Sequence, residues 1–255
     1  MEQILGKAES YPHHLPENER YGMDPDLLTD KIVGSPFSDR LILAHMKAGN
    51  IVIKPFVKEH LTSSSYDIRL GRYYYEEQQP EKPGGLFNPY SSGHVKKVWG
   101  KPKEAIKAGT LLDRFPDKND WQNIEEDDDV ILFEPLKTYL CHTYEFIGMR
   151  SVGTEMMKAR STTGRIFLEI CKCAGWGDNG YINRWTMEIT SNCSYYSIPI
   201  VVGTRIGQLA FFYTGETDRP YVGRGSYQNT NDFEQLEREW SPECMLPKLK
   251  RDPKI

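Results

Sequence analysis

From Ile106 to Phe212 the chain is written as short apolar runs of strand length, each closed by turn residues. This punctuation constrains the fold more than any other feature of the sequence. Val130–Phe133, Lys137–Cys141, Glu145–Met149 and the longer stretch Ile198–Phe212 are such runs, with Thr110–Leu112 a shorter one. A clear helix signature occurs at one place: Ser38 stands as an N-cap before Asp39–Ala48, apolar residues follow at helical spacing, and Gly49-Asn50 stops the run. Within it, His45 reads as a packing histidine. Ile51–Phe56 then reads as a strand, and the hydroxyl-rich turn at Ser63-Ser64-Ser65 runs into another. The regular alternation of strand and helix that a doubly wound sheet needs is absent. The expectation is a mainly all-β sandwich or barrel-like domain with one or two short helices.

At 255 residues the chain is long enough for one large all-β domain with extensions. Residues 1–36 read as an irregular arm with a short helix around Asp26–Val33. Residues 76–105, rich in Pro, Gly and charge, read as an insertion between strands, and 231–255 as a tail, which leaves 37–230 as the domain. A formal net charge of -4 argues against a non-specific nucleic-acid partner, which selects a broad basic surface. No apolar run approaches the roughly 18 residues of a membrane span, and the start lacks a charged-then-apolar leader. A soluble, cytoplasmic protein is expected. Of the five cysteines only Cys171 and Cys173 are close, spaced to share one strand face, and no CxxC pattern points to zinc. The five acids Glu125–Asp129 read as a solvated loop.

The chemistry concentrates between Ala159 and Glu188. Arg160-Ser161-Thr162-Thr163-Gly164-Arg165 is a polar turn, Ile166–Ile170 a strand, and Ala174-Gly175-Trp176-Gly177-Asp178-Asn179-Gly180-Tyr181 a tight turn around one acid. Glu188 then sits on a second strand between Met187 and Ile189. A lone strand glutamate is most often solvated. Arg165 and Ser161, one strand away, add weight to the alternative, a pocket in which a cation holds the carboxylate.

The blocks SSSYDIRLG, ARSTTGR, AGWGDNGY with Glu188 beyond it, PIVVGTRIGQL and SYQ, in this order over roughly residues 37–230, resemble the dCTP deaminase family of the dUTPase-like superfamily. The resemblance implies a distorted β-barrel or jelly roll of that superfamily. It sets the catalytic glutamate on Glu188, the serine and arginine of the polar turn on Ser161 and Arg165, and the superfamily's aspartate on Asp178. It implies that Arg160 and Thr162 bind phosphate, that Ala174 to Trp176 meet the base, and that Gln208, Tyr227 and Gln228 meet or close over the phosphates. It also implies homotrimers with active sites between subunits, and Mg²⁺ carried on the triphosphate with no zinc.

Hydrolytic deamination needs water at C4 of cytosine, a proton on N3 and expulsion of ammonia, and one carboxylate can pass the proton. Zinc deaminases instead carry an H-x-E and P-C-x-x-C signature, which this sequence lacks. The expected reaction is dCTP to dUTP and ammonia. The alternatives are a bifunctional enzyme that continues to dUMP and pyrophosphate, towards which Ala174-Gly175-Trp176 leans by resemblance, and a non-catalytic nucleotide-binding regulator. The sequence departs from the family pattern at Thr162, at Asn179, at Ser226 (where Arg224 could replace a lysine) and at Asn183, which stands for a glycine and suits a left-handed backbone.

Overall fold

The structure, a computed structural model, describes residues 34–250 apart from 83, 151, 215, 216, 219, 220, 222–224 and 231. The helix expected at Asp26–Val33, most of the N-terminal arm and Arg224 lie outside the described residues.

Helix α1 spans Asp39–Lys47, opened by the Ser38 hydroxyl, which accepts from the Leu41 amide. Strands β1 (Ile51–Lys54), β2 (Tyr66–Arg69) and β3 (Tyr73–Glu76) follow, then α2 (Ser92–Trp99), β4 (Lys103–Glu104) and β5 (Ile106–Lys107). Next come β6 (Asp129–Phe133), β7 (Thr138–His142), β8 (Phe146–Met149) and β9 (Gly153–Ala159), then the one-turn helix α3 (Ser161–Arg165). The chain continues through β10 (Leu168–Glu169), β11 (Trp176–Gly177), β12 (Ile182–Asn183), β13 (Thr186–Ser191), β14 (Ile198–Val201) and β15 (Arg205–Tyr213) to α4 (Phe233–Glu239).

These strands form four small antiparallel sheets, ordered β1-β8-β12, β10-β13-β7-β3-β4, β11-β9-β15-β2 and β14-β6-β5. The apolar positions of β13 and β15 alternate with more exposed ones, as strands with one face on a core must. Their inward side chains meet in one core with Tyr66, Ile68, Phe133, Tyr139, Ile147, Met187 and Phe211. Helix α1 closes one end. There His45 is buried, its Nε2 lies 2.7 Å from the Tyr213 hydroxyl, and its ring stacks on Phe37. The mainly β expectation is met.

Several local expectations are corrected. The insertion contains α2, capped by the Ser91 hydroxyl and ended by Gly100 at φ 67°, so it is not an irregular excursion. With α3 and α4 this exceeds the one or two helices expected. Thr110–Leu112 is no strand, because Ala108–Leu111 forms a 3₁₀ turn. The polar run 161–165 is helical, and the strand after it shrinks to β10, since Phe167 at φ 67° cannot extend it. Cys171 and Cys173 share no strand face: Lys172 and Cys173 both have positive φ, which buries one thiol and exposes the other. Residues 232–250 fold back: Met245 and Leu246 pack with Tyr75, Val95 and Leu140 in a second apolar cluster that also takes in Trp99.

Candidate active site

Glu188 lies mid-way along β13, on the face shared with Thr186 and Thr190, while Met187 and Ile189 point into the core. Directly opposite it on β7 stands Leu140. Both line a cleft of about 540 Å³ together with Ala174, Trp176, Asp178, Tyr181, Tyr221 and Tyr227, and its apolar wall is Trp99, Met245 and Pro247. Two carboxylates and the base-contacting segment expected from the sequence therefore share one concavity. Burial pushes the Glu188 carboxyl up from the ordinary 4.5 to about 7, its own amide and the Lys172 charge pulling weakly the other way. Within one chain Arg165 is not among the groups acting on Glu188, and desolvation keeps the acid near its neutral form.

The Ala-Gly-Trp-Gly-Asp turn is shaped by steric necessity. A Cβ on Gly175 would stand 2.4 Å from the Met157 carbonyl oxygen, and one on Gly177 would stand 2.4 Å from Trp185 Cη2 and 2.6 Å from Glu155 Oε2. Neither ring nor carboxyl can retreat, because Trp185 donates its indole N–H to the Ile147 carbonyl and Glu155 is buried on β9 opposite Gly177. The Thr154 hydroxyl donates to the Gly177 carbonyl, and Met157 N–H donates to Gly175 O at 2.7 Å, which ties the turn to β9. Asp178 then projects from a tight turn closed by the Tyr181 amide on its carbonyl, with Gly180 at φ 91°. Gly177→Ala is expected to cost about 1–3 kcal/mol of unfolding free energy. Gly164→Ala, where a Cβ meets nothing within 4 Å, is expected to cost under about 1 kcal/mol. Urea titration of the two variants checks the contrast.

The cationic residues gather elsewhere. Asp67, 2 % exposed, holds Arg160 and Arg205 at 3.3 Å each, and Gln208 lies opposite Asp67 on β2 and Lys158 on β9. Arg160, Arg205 and Gln208 thus form a compact group of donors with one buried counter-charge. Arg205 and Asp67 were not singled out from the sequence, although both lie inside the blocks that carry the resemblance. Ser161, Thr162 and Arg165 are exposed on α3 and are not among the described residues lining the cleft. The pocket expected to join Ser161, Arg165 and Glu188 is therefore not assembled within one chain.

The segment after β15 closes back over the cleft. Tyr227 lines it, anchored through its amide to the Tyr221 hydroxyl at 3.2 Å and through its carbonyl to Asn183 Nδ2 at 3.2 Å. Asn183 belongs to β12 and is not left-handed; its role is this tether. Gln228 is 2 % exposed, its Oε1 accepting from the Ile182 amide at 2.7 Å and its Nε2 donating to the carbonyls of Gly180 and Thr230. In this chain Gln228 clamps the turn that carries Asp178, and its amide is turned to the backbone instead of to a phosphate. Trp99, Met245 and Pro247 were missed in the sequence. The Ser91 cap with Val95 and Trp99 at i, i+4 was the available signal for the first, and the others offered none.

The profile of the dCTP deaminase-like family matches residues 37–214 of this sequence. The chain belongs to that family. Among curated relatives, a "dCTP deaminase, dUMP-forming" of Bifidobacterium longum (strain DJO10A) is 28 % identical over 190 residues, covering 74 % of this chain and 85 % of the relative. One of the same name from Clostridium botulinum (strain Eklund 17B / Type B) is 29 % identical over 197 residues, covering 77 % and 92 %. A solved 2'-deoxycytidine 5'-triphosphate deaminase from Agrobacterium tumefaciens aligns at TM-score 0.48 and 14 % identity over 70 % of this chain and 48 % of that one. The family match ends at residue 214, so Tyr221, Tyr227, Met245 and Pro247 are walls of the cleft built outside it.

Proposed function

We propose that this dCTP deaminase-like chain hydrolyses dCTP to dUTP and ammonia and then cleaves the dUTP to dUMP and pyrophosphate. The observation that carries the reading is the placement of Glu188, partly buried and with its carboxyl pushed up to about 7, in one cleft with Asp178, Ala174 and Trp176. The sequence reading placed release of dUTP first and the two-step reaction as its alternative. The names of the curated relatives, dCTP deaminase, dUMP-forming, favour the second.

In the first step Glu188, as carboxylate, takes a proton from water as the oxygen attacks C4, and delivers it to N3. Glu188 then takes the remaining hydroxyl proton and passes it to the exocyclic nitrogen as C4=O forms, and the bond from C4 to that nitrogen breaks to release ammonia. A carboxyl with a pKa near the working pH suits both halves of this transfer. No histidine or cysteine occurs among the described residues lining the cleft, so the proton work falls to Glu188. In the second step Asp178 orients water at the α-phosphorus, and pyrophosphate departs.

The phosphates are assigned to Arg160, Arg205 and Gln208, with Thr162 adding a hydroxyl. Among the described residues no group of three His, Cys, Asp or Glu side chains could by itself hold a metal. Magnesium, which prefers phosphate and water oxygens and few protein ligands, therefore fits as a passenger of the triphosphate and would supply charge neutralisation there. Ser161 and Arg165, exposed on α3, are assigned to the Glu188 cleft of a neighbouring subunit in a homotrimer.

Incubating the chain with dCTP and separating the products by ion exchange tests the reading, with dUMP, pyrophosphate and ammonia expected in equal amounts. Accumulation of dUTP alone would restore the single-step reaction. Tight binding without turnover would establish the regulator. Asp178→Asn is expected to cut pyrophosphate yield at least about tenfold while ammonia release continues; unchanged pyrophosphate would remove Asp178 from the second step.

A further inference from the structure

Glu188 faces Leu140 across the β7–β13 ladder, and directly paired residues place their side chains on the same face of a sheet. Leu140 in turn packs in the second apolar cluster with Val95 of α2 and with Met245 and Leu246 of the C-terminal segment, Trp99 lying against them. The wall nearest the carboxylate is therefore made by two pieces of chain remote from β13, the insertion and the tail. Lys248 fixes the tail end of that wall: its amide donates to the Tyr227 hydroxyl at 3.1 Å and its ammonium to the Ser226 carbonyl at 3.2 Å.

We propose that Trp99, Met245 and Pro247 are positioning residues that seat the pyrimidine ring against the Glu188 side of the cleft and exclude water from that carboxylate. The inference rests on the functional reading above and deepens it, since the base must enter the cleft if Glu188 is to reach C4. The wall is apolar and adjoins Glu188 through Leu140, so a flat ring packed against it is held within reach of the acid. Lys172 and Cys171 interact electrostatically with Glu188, and Asp178, Tyr181, Tyr221 and Tyr227 are the other titratable groups lining the cleft; none belongs to the wall. Burial is the largest influence on the Glu188 carboxyl, and the wall lines the same cleft.

The test uses the full chain carrying Met245→Gln, which keeps side-chain length and brings a hydrated amide to the wall, with Met245→Ala as the second variant. The pH midpoint of ammonia release is expected to fall by about one unit, with KM for dCTP raised about fivefold and kcat at high pH within about twofold. A merely structural role would lower kcat or the amount of folded protein without moving the midpoint. The carboxyl titration of Glu188, followed by carbon-13 NMR as the resonance that disappears in Glu188→Gln, reads the same dehydration without turnover. If both variants fold and the midpoint of that resonance equals the parent's, the wall does not dehydrate Glu188 and the inference is overturned. If the parent releases no ammonia from dCTP while the resonance still shifts between parent and variant, the reaction assignment fails and the dehydrating wall stands.

Discussion

Glu188→Gln is expected to lower ammonia release from dCTP by about 10³- to 10⁴-fold while nucleotide affinity changes less than about threefold. The amide keeps the shape and the hydrogen-bonding reach of the side chain but cannot take a proton from water. The ionised form is the base, so the deamination rate rises with pH as the carboxyl titrates, a midpoint of about 7 in the chain alone that a neighbour's Arg165 lowers. The same substitution has a second, opposite consequence for stability. The carboxyl ionises near 4.5 in the unfolded chain and near 7 in the folded one. The folded state therefore binds more protons between these values, and its stability falls as pH rises through that window. At 1.36 kcal/mol per tenfold change in proton affinity, the full penalty well above pH 7 is about 3–4 kcal/mol at most. Glutamine carries no such penalty. Urea unfolding is expected to show the variant more stable than the parent at about pH 8, with the gap largely gone at about pH 5. Equal gaps at both pH values would show that folding does not raise this carboxyl's pKa, and robust ammonia release would remove Glu188 from the proton-transfer step.

That dehydration was the part of the site least legible in the sequence. The strand itself was readable: Met187 and Ile189 flank Glu188 with the period of two that buries one face, and the structure keeps that pattern. The turn around Asp178 was equally readable, because its Gly and Asn-Gly spacing answers to local backbone geometry. What surrounds Glu188 was not, since Leu140, Trp99 and Met245 reach the cleft through tertiary packing of distant segments, and a local window carries no record of such contacts. Helix α2 was missed because the Pro and Gly content around it outweighed a short capped segment, although Val95 and Trp99 already marked one apolar side. Phe167, Lys172 and Cys173 adopt positive φ without being glycine, asparagine or aspartate, so nothing in residue type announced where the strand would break or that the two thiols would part. Asn183 misled in the other direction. Its type suited a left-handed backbone, but its side chain is used instead to hold Tyr227.

Arg165→Ala, assayed alone, is expected to lose about 10²- to 10³-fold of deaminase activity, the scale seen when one preorganised electrostatic donor is removed. The arginine is exposed on α3 and absent from the charges that act on Glu188 within the chain, so its effect must reach the carboxylate from outside that chain. If subunits of a homotrimer exchange these groups, the two inactive variants Arg165→Ala and Glu188→Gln repair one another. A site formed between them can draw its intact glutamate from the first variant and its intact arginine from the second. After unfolding and refolding together in equal amounts, about a quarter of all sites combine both intact groups, and about a quarter of parental activity is expected to return. Refolding each variant separately and mixing afterwards supplies the control, because pre-formed trimers that do not exchange subunits stay inactive. Were both residues to act within one chain, every site would still lack one of them, and co-refolding would restore nothing. Recovery near a quarter therefore assigns Arg165 to the neighbour's cleft, whereas its absence from properly assembled mixed trimers would return Arg165 to a role at the surface of its own subunit.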